Sequence, residues 1–163
     1  MLWLGKGKAR GDHRILKGVD ELSLRKEDCE FCSIVQKEMP ASIVFEDDET
    51  IAFLDIKPIN DGHTLVIPKK HCETIYELPD DEIACLFRTV RNIALAIKSG
   101  VGADGITILQ RNGKAAHQHV FHVHVHVIPR YEGQKLAHSK GVGEASRERL
   151  DEIAKKLKQS VLT

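Results

Sequence analysis

The sequence predicts an α+β fold: an antiparallel sheet of about five strands with a long central helix and a second helix near the C-terminus. Three observations carry this. Short strand-like runs follow one another in the first half of the compact region. A long amphipathic run then interrupts them, without β-α-β alternation. The last strand-like run, His122-Val123-His124-Val125-His126-Val127, alternates polar and apolar residues with a period of two.

Residues 1–28 are rich in Lys, Arg and Gly with little periodicity, and are expected to be an extension, disordered or packed as an arm. A short helix over 16–24 is the one element they suggest. The compact domain is expected over 29–130, opening with a short helix over 32–37 that Met39-Pro40 ends. Residues 42–46 and 50–55 read as two strands joined by the acidic turn Asp47-Asp48-Glu49. Turn chemistry from Lys57-Pro58 to Asp61-Gly62 leads to a third strand over 63–68, closed by Pro68. Asp80-Asp81-Glu82 places negative charge at a helix N-terminus. That helix runs to about residue 99, with Ile83, Leu86, Phe87, Val90, Ile93, Ala94 and Ile97 at the spacing of a buried face and Gly100 as terminator. Residues 105–110 form a fourth strand, Asn112-Gly113 opens a loop, and 120–128 form a fifth strand stopped by Pro129. The tail, 131–163, carries an amphipathic helix over 144–162 that caps the domain or a dimer.

The chain of 163 residues suits one domain with its own core. Lys plus Arg total 24 and Asp plus Glu total 24, so net charge asks for neither nucleic acid nor an anionic membrane. Few aromatics weigh against a base-stacking RNA platform, although the basic N-terminal arm keeps a nucleic-acid role testable. The first residues hold no sustained apolar run, and no later segment approaches a membrane span. A reducing, cytoplasmic setting is therefore expected, where Cys29-x-x-Cys32 is a metal knuckle or a redox pair sooner than a structural disulfide. Cys72 and Cys85 carry no such pattern.

The His-Val alternation carries the chemistry. As a strand it has one face of His122, His124 and His126 and one of Val123, Val125 and Val127. Packing does not require three imidazoles in a row. Nucleophilic attack, proton transfer, metal ligation and phosphate binding all use imidazole near neutral pH.

The run His122-Val123-His124-Val125-His126-Val127, together with Phe53-Leu54-Asp55-Ile56, the segment from Gly62-His63-Thr64-Leu65 through Lys69-Lys70-His71, and Asn112-Gly113, resembles the histidine-triad (HIT) family of nucleotide-binding proteins and hydrolases, in its zinc-containing Hint-like branch. The resemblance spans 29–130. It implies an antiparallel half-barrel sheet with helices, paired into a homodimer, and attack on the α-phosphorus of a purine nucleotide such as AMP, GMP or an adenosine phosphoramidate. By similarity His124 is the nucleophile, forming a nucleotidyl-histidine that water releases as a nucleoside monophosphate. His126 would donate to a phosphoryl oxygen, and His63 would belong to the polar relay behind the nucleophile. Asp55 matches the ribose-binding acid, and Phe31, Ile34 and Phe53 could wall the base. Asn112 and Gln118 match polar residues that contact phosphates. Cys29, Cys32, His71 and His122 fill the four positions of a structural Zn²⁺ site. The activity implied is that of a nucleotide phosphoramidase or nucleotidyl hydrolase. A diadenosine polyphosphate hydrolase and a nucleotide-binding regulatory module are the alternatives.

One departure stands out. Where the family often has Gly-Gln-Ser or Gly-Gln-Thr, this chain has His117-Gln118-His119. His119 would have to replace the missing hydroxyl as donor or general acid. By period two, His117 and His119 are out of phase with the triad and join its face only if the chain bends near Val120.

Overall fold

A computed structural model describes residues 28–134 and 143–161. The helix expected over 16–24 lies outside the described residues. Five antiparallel strands are β1 (Ile43–Glu46), β2 (Thr50–Leu54), β3 (Thr64–Pro68), β4 (Gly105–Gln110) and β5 (Val125–Arg130). They lie in the order β1-β2-β3-β5-β4. The helices are α1 (Glu30–Val35), α2 (Asp80–Gly100) and α3 (Arg147–Val161), with single 3₁₀ turns at Ile75–Glu77 and Lys114–Ala116. The expected α+β architecture is present.

The two faces of the sheet bury two apolar clusters, and the strand period assigns residues between them. Ala52, Leu54, Val66, Val123, Val125 and Val127 pack toward α2 and α3. Ile51, Phe53, Leu65 and Ile67 pack toward α1 on the other face. Cross-strand pairing places Ile43, Phe53, Leu65, His126 and Leu109 in one row across all five strands. The third imidazole therefore stands on the face that α1 covers, while the valines flanking it lie in the larger core. Pairing register alone decides this, because a one-residue slip would exchange the faces.

Four expectations change in detail. First, β5 begins at Val125, not at residue 120, because its ladder to β3 ends at Val66↔Val125. Upstream, Val123 donates its N–H to the Cys72 carbonyl at 2.7 Å instead. Second, Pro129 does not stop the strand, which runs on to Arg130 beside β4. The β3 ladder has already ended at Thr64↔Val127, and the Pro129 carbonyl accepts from Asn60 Nδ2 at 2.8 Å. The missing proline N–H thus faces a side with no ladder to break. Third, Phe87 is 40% exposed, while Leu86, Thr89, Val90, Ile93, Ala96 and Ile97 are buried. Adjacent helical residues point about 100° apart, so Leu86 and Phe87 cannot share the centre of one face.

Fourth, Gly100 does not terminate α2 through a left-handed conformation; that conformation falls on Gly102, with φ +66°. Gly100 serves packing, since a Cβ there would approach Leu157 Cδ2 to 2.8 Å. α3 packs on α2 and β1 through Leu150, Ile153, Ala154 and Leu157. Its outer end is pinned by Ser42 Oγ, which donates to Asp151 Oδ1 at 2.6 Å. Leu157→Ala should therefore cost about 2–5 kcal/mol. Denaturant titration should show a lower midpoint at unchanged slope. A loss below about 1 kcal/mol would mean that α3 is not part of the cooperative core.

Candidate functional site

Side-chain partners assign a different tautomer to each successive imidazole of the triad. The His122 ring is fully buried, and its Nε2 donates to the Pro68 carbonyl at 2.8 Å. Its Nδ1 lone pair is then turned toward Cys29 Sγ at 3.5 Å and Cys32 Sγ at 3.6 Å. His124 reverses this arrangement. Its Nδ1 donates to the His122 carbonyl at 2.7 Å, leaving the lone pair on Nε2. His126 reverses it again through His63. The Ile59 N–H donates to His63 Nδ1 at 3.2 Å, so a neutral His63 carries its proton on Nε2. That Nε2 donates to His126 Nδ1 at 3.0 Å, and His126 keeps an Nε2–H to offer a ligand.

Burial keeps these rings neutral. It holds the His63 and His124 imidazoles below the usual range, outweighing the opposing pull of Asp55 on His63 and of the His122 carbonyl, then Asp55, on His124. Burial, then repulsion from His124, His63 and Arg111, lowers His126 to about 3. Asp55 Oδ2 lies 3.6 Å from His63 Nε2 and 3.9 Å from His126 Nδ1. Asp55 Oδ1 accepts the Lys57 N–H at 2.8 Å, fixing the carboxylate at the end of β2.

These groups open on a cavity of about 840 Å³. Phe31, Ile34, Phe53, Asp55, His63, His119, His124 and His126 all line it, as do Leu65 and Met39. The Phe31 ring meets His124 edge-on at 5.3 Å and Phe53 at 5.5 Å, so one phenyl group joins the apolar wall to the middle imidazole. His117 and His119 reach the cavity because the chain bends ahead of β5: a 3₁₀ turn is followed by His117 in the left-handed conformation, φ 60°. Sequence reasoning missed Arg111 as a lining residue. Arg111, just past a strand end, has no pattern that distinguishes it from a solvated cation.

Two expected phosphate contacts are turned elsewhere. The Gln118 amide accepts from the Gly113 N–H at 2.7 Å and donates to the carbonyls of Glu73 and Val120 at 2.6 and 3.1 Å. Asn112 Oδ1 accepts from the Ile75 N–H at 2.9 Å, and its Nδ2 donates to Gln110. Both amides fasten the loops around the site, and neither lines the cavity.

A second cluster lies on the far side of His122. Cys29, Cys32, His71 and His122 bring one ligand atom each within 4.8 Å of one another. Cys32 Sγ and His71 Nδ1 are 3.3 Å apart. A tetrahedral zinc ion ~2.3 Å from sulfur and ~2.0 Å from nitrogen would separate unlike ligand atoms by roughly 3.5 Å. Two thiols, two imidazoles and this spacing fit such an ion.

The chain belongs to the HIT-domain family, whose profile matches residues 36–133. An uncharacterized HIT-like protein of Methanocaldococcus jannaschii is 46% identical over 80% of this chain and 98% of its own length. The adenosine 5'-monophosphoramidase hnt1 of Schizosaccharomyces pombe is 42% identical over 63% of this chain and 74% of its own. The adenylylsulfatase HINT3 of Arabidopsis thaliana is 41% identical over 71% of this chain but only 58% of its own. A zinc-bound histidine-triad protein from Mycobacterium smegmatis superposes with a TM-score of 0.74 at 38% identity, covering 83% of this chain and 94% of that one. Among the described residues, no helix is long and apolar enough to cross a membrane.

The buried neutral histidines give the fold a pH dependence of known sign. Their folded pKa values lie below the ordinary 6.5, so the unfolded chain binds more protons once the pH drops through that value. Stability should be full above about pH 7 and fall steadily from about pH 6.5 toward pH 4. His126→Asn should make that fall shallower by up to about 1.4 kcal/mol per pH unit. Denaturation curves at a series of pH values would show it, and an unchanged slope would mean that His126 is already protonated in the folded state.

Proposed function

We propose that this protein is a nucleotide phosphoramidase or related nucleotidyl hydrolase. It would cleave at the α-phosphorus of a purine nucleotide through a nucleotidyl-histidine and release a nucleoside monophosphate. The observation that carries this reading is the 2.7 Å bond from His124 Nδ1 to the His122 carbonyl, which leaves a neutral Nε2 lone pair at the cavity wall. Attack by Nε2 forms the N–P bond as the bond to the leaving group breaks, its electron pair departing with the leaving group and an amine taking up one proton from solvent. The carbonyl supports the positive charge that develops on the ring. The His126 Nε2–H, oriented through His63, donates to a phosphoryl oxygen in the transition state. Asp55 accepts the ribose hydroxyls, and Phe31, Ile34 and Phe53 enclose the base. Water attacks the phosphorus in the second step, and His124 leaves as neutral imidazole.

Names of two relatives, one an adenosine 5'-monophosphoramidase and one an adenylylsulfatase, support an adenylyl substrate. The zinc-bound relative supports Zn²⁺ held by Cys29, Cys32, His71 and His122, and a place in the Hint-like branch. Four protein ligands leave no open position, so the ion would supply structure and no reaction step. A reducing cytoplasm suits the thiolates. We also propose a homodimer across β4, an edge strand whose Ile108 is 49% exposed.

His124→Ala should reduce turnover of an adenosine phosphoramidate by about 10³-fold or more. Acid-quenched mass spectrometry of the unmodified protein should find an adenylyl adduct on His124, and full turnover by the alanine variant would remove the reading. Metal analysis should find one zinc per chain. Cys32→Ser should lose it, with a lower melting temperature and a matching loss of activity, because His122 carries both the metal and the His124 contact. A metal-free protein of unchanged melting temperature would refute the structural zinc.

A further inference from the structure

The sheet order divides the cavity around β5. On the β3 and β2 side stand the apolar wall and the carboxylate Asp55. On the β4 side stand Leu109, Arg111, His117 and His119. Leu109 pairs directly with His126, and Arg111 is the second residue beyond it. Arg111 and His119 line the same cavity as His124 and His126. Among the described residues, no hydrogen bond or ion pair engages the side chains of Arg111, His117 or His119. The cavity's acids, Glu30 and Asp55, come from α1 and the end of β2, on the other side of β5.

An uncompensated guanidinium beside a nucleophile does not suit a leaving amine, which departs neutral after taking a proton. It suits a departing oxyanion, which needs charge stabilisation and no proton. Arginine stays charged at any working pH and matches tetrahedral oxyanions through paired N–H groups.

We propose that Arg111, with His117 and His119, forms an oxyanion-binding half of the cavity that receives the leaving group. The preferred substrates are then nucleoside 5'-monophosphates joined at the α-phosphorus to an anion, either sulfate or the polyphosphate of a second nucleotide. This rests on the nucleotidyl-transfer reading and specifies its substrate class. In the first step the His124 N–P bond forms and the P–O bond to the leaving group breaks, its electron pair departing with the oxyanion. In the second, water forms a P–O bond, the N–P pair returns to His124, and one proton goes to solvent.

The test is kcat/KM of the full chain on adenosine 5'-phosphosulfate, diadenosine tetraphosphate and adenosine 5'-phosphoramidate. At least one of the two anhydrides should exceed the phosphoramidate by about tenfold or more, the scale of a charge-assisted hydrogen bond to an anion. The better anhydride identifies the anion. Arg111→Gln should cut that selectivity by about tenfold, Arg111→Lys should restore much of it, and His119→Ser should have a smaller effect. Preference for the phosphoramidate, or an equal loss on all three substrates in Arg111→Gln, would overturn the inference while leaving nucleotidyl transfer intact. Absence of turnover and adduct on all three would overturn both.

Discussion

The bond from His124 Nδ1 to the His122 carbonyl is the contact on which the rest of the site depends. An imidazole has two nitrogens and, when neutral, one proton. A nucleophile must have the right nitrogen free before substrate arrives. Here the choice is made by a backbone carbonyl two residues upstream, which has no rotamer to lose. The carbonyl is itself held, since the Val123 N–H donates to Cys72 and the His122 ring donates to Pro68. Adjacent triad members thus carry opposite tautomers through separate partners, none of which requires a charged ring.

His122 links two centres. Its ring faces the Cys29, Cys32 and His71 cluster, and its carbonyl orients His124. Phe31, between the two cysteines, lies edge-on to both His122 and His124. A four-ligand metal would draw the start of α1, the segment after β3 and the approach to β5 to one point. The strain of misplacing any of them would pass to His124 through one peptide unit. Under the proposed function the metal would contribute alignment and the imidazoles reactivity.

Much of this was legible because period-two patterning is a strong signal. Three valines facing the larger core and three histidines facing the other side follow the sequence alternation, and Cys29-x-x-Cys32 declares itself by spacing. The bounds of β5 were not legible. The alternation continues through His122 and His124, but the ladder to β3 ends at Val125, and where a ladder ends depends on the partner strand. Asn112 and Gln118 show a different limit. An amide that fastens a loop and one that holds a phosphate have the same composition, and only geometry separates them. Arg111 was hidden because a cation past a strand end is ordinary until the fold places it in one cavity with His124 and His126.

Tautomers are directly observable, which makes the central claim open to a single experiment. Long-range ¹H–¹⁵N correlation spectra of the histidine side chains at neutral pH should show His124 protonated on Nδ1 alone. His63 and His126 should be protonated on Nε2 alone. A His124 carrying its proton on Nε2, or on both nitrogens, would contradict the account, because no lone pair would then face the cavity.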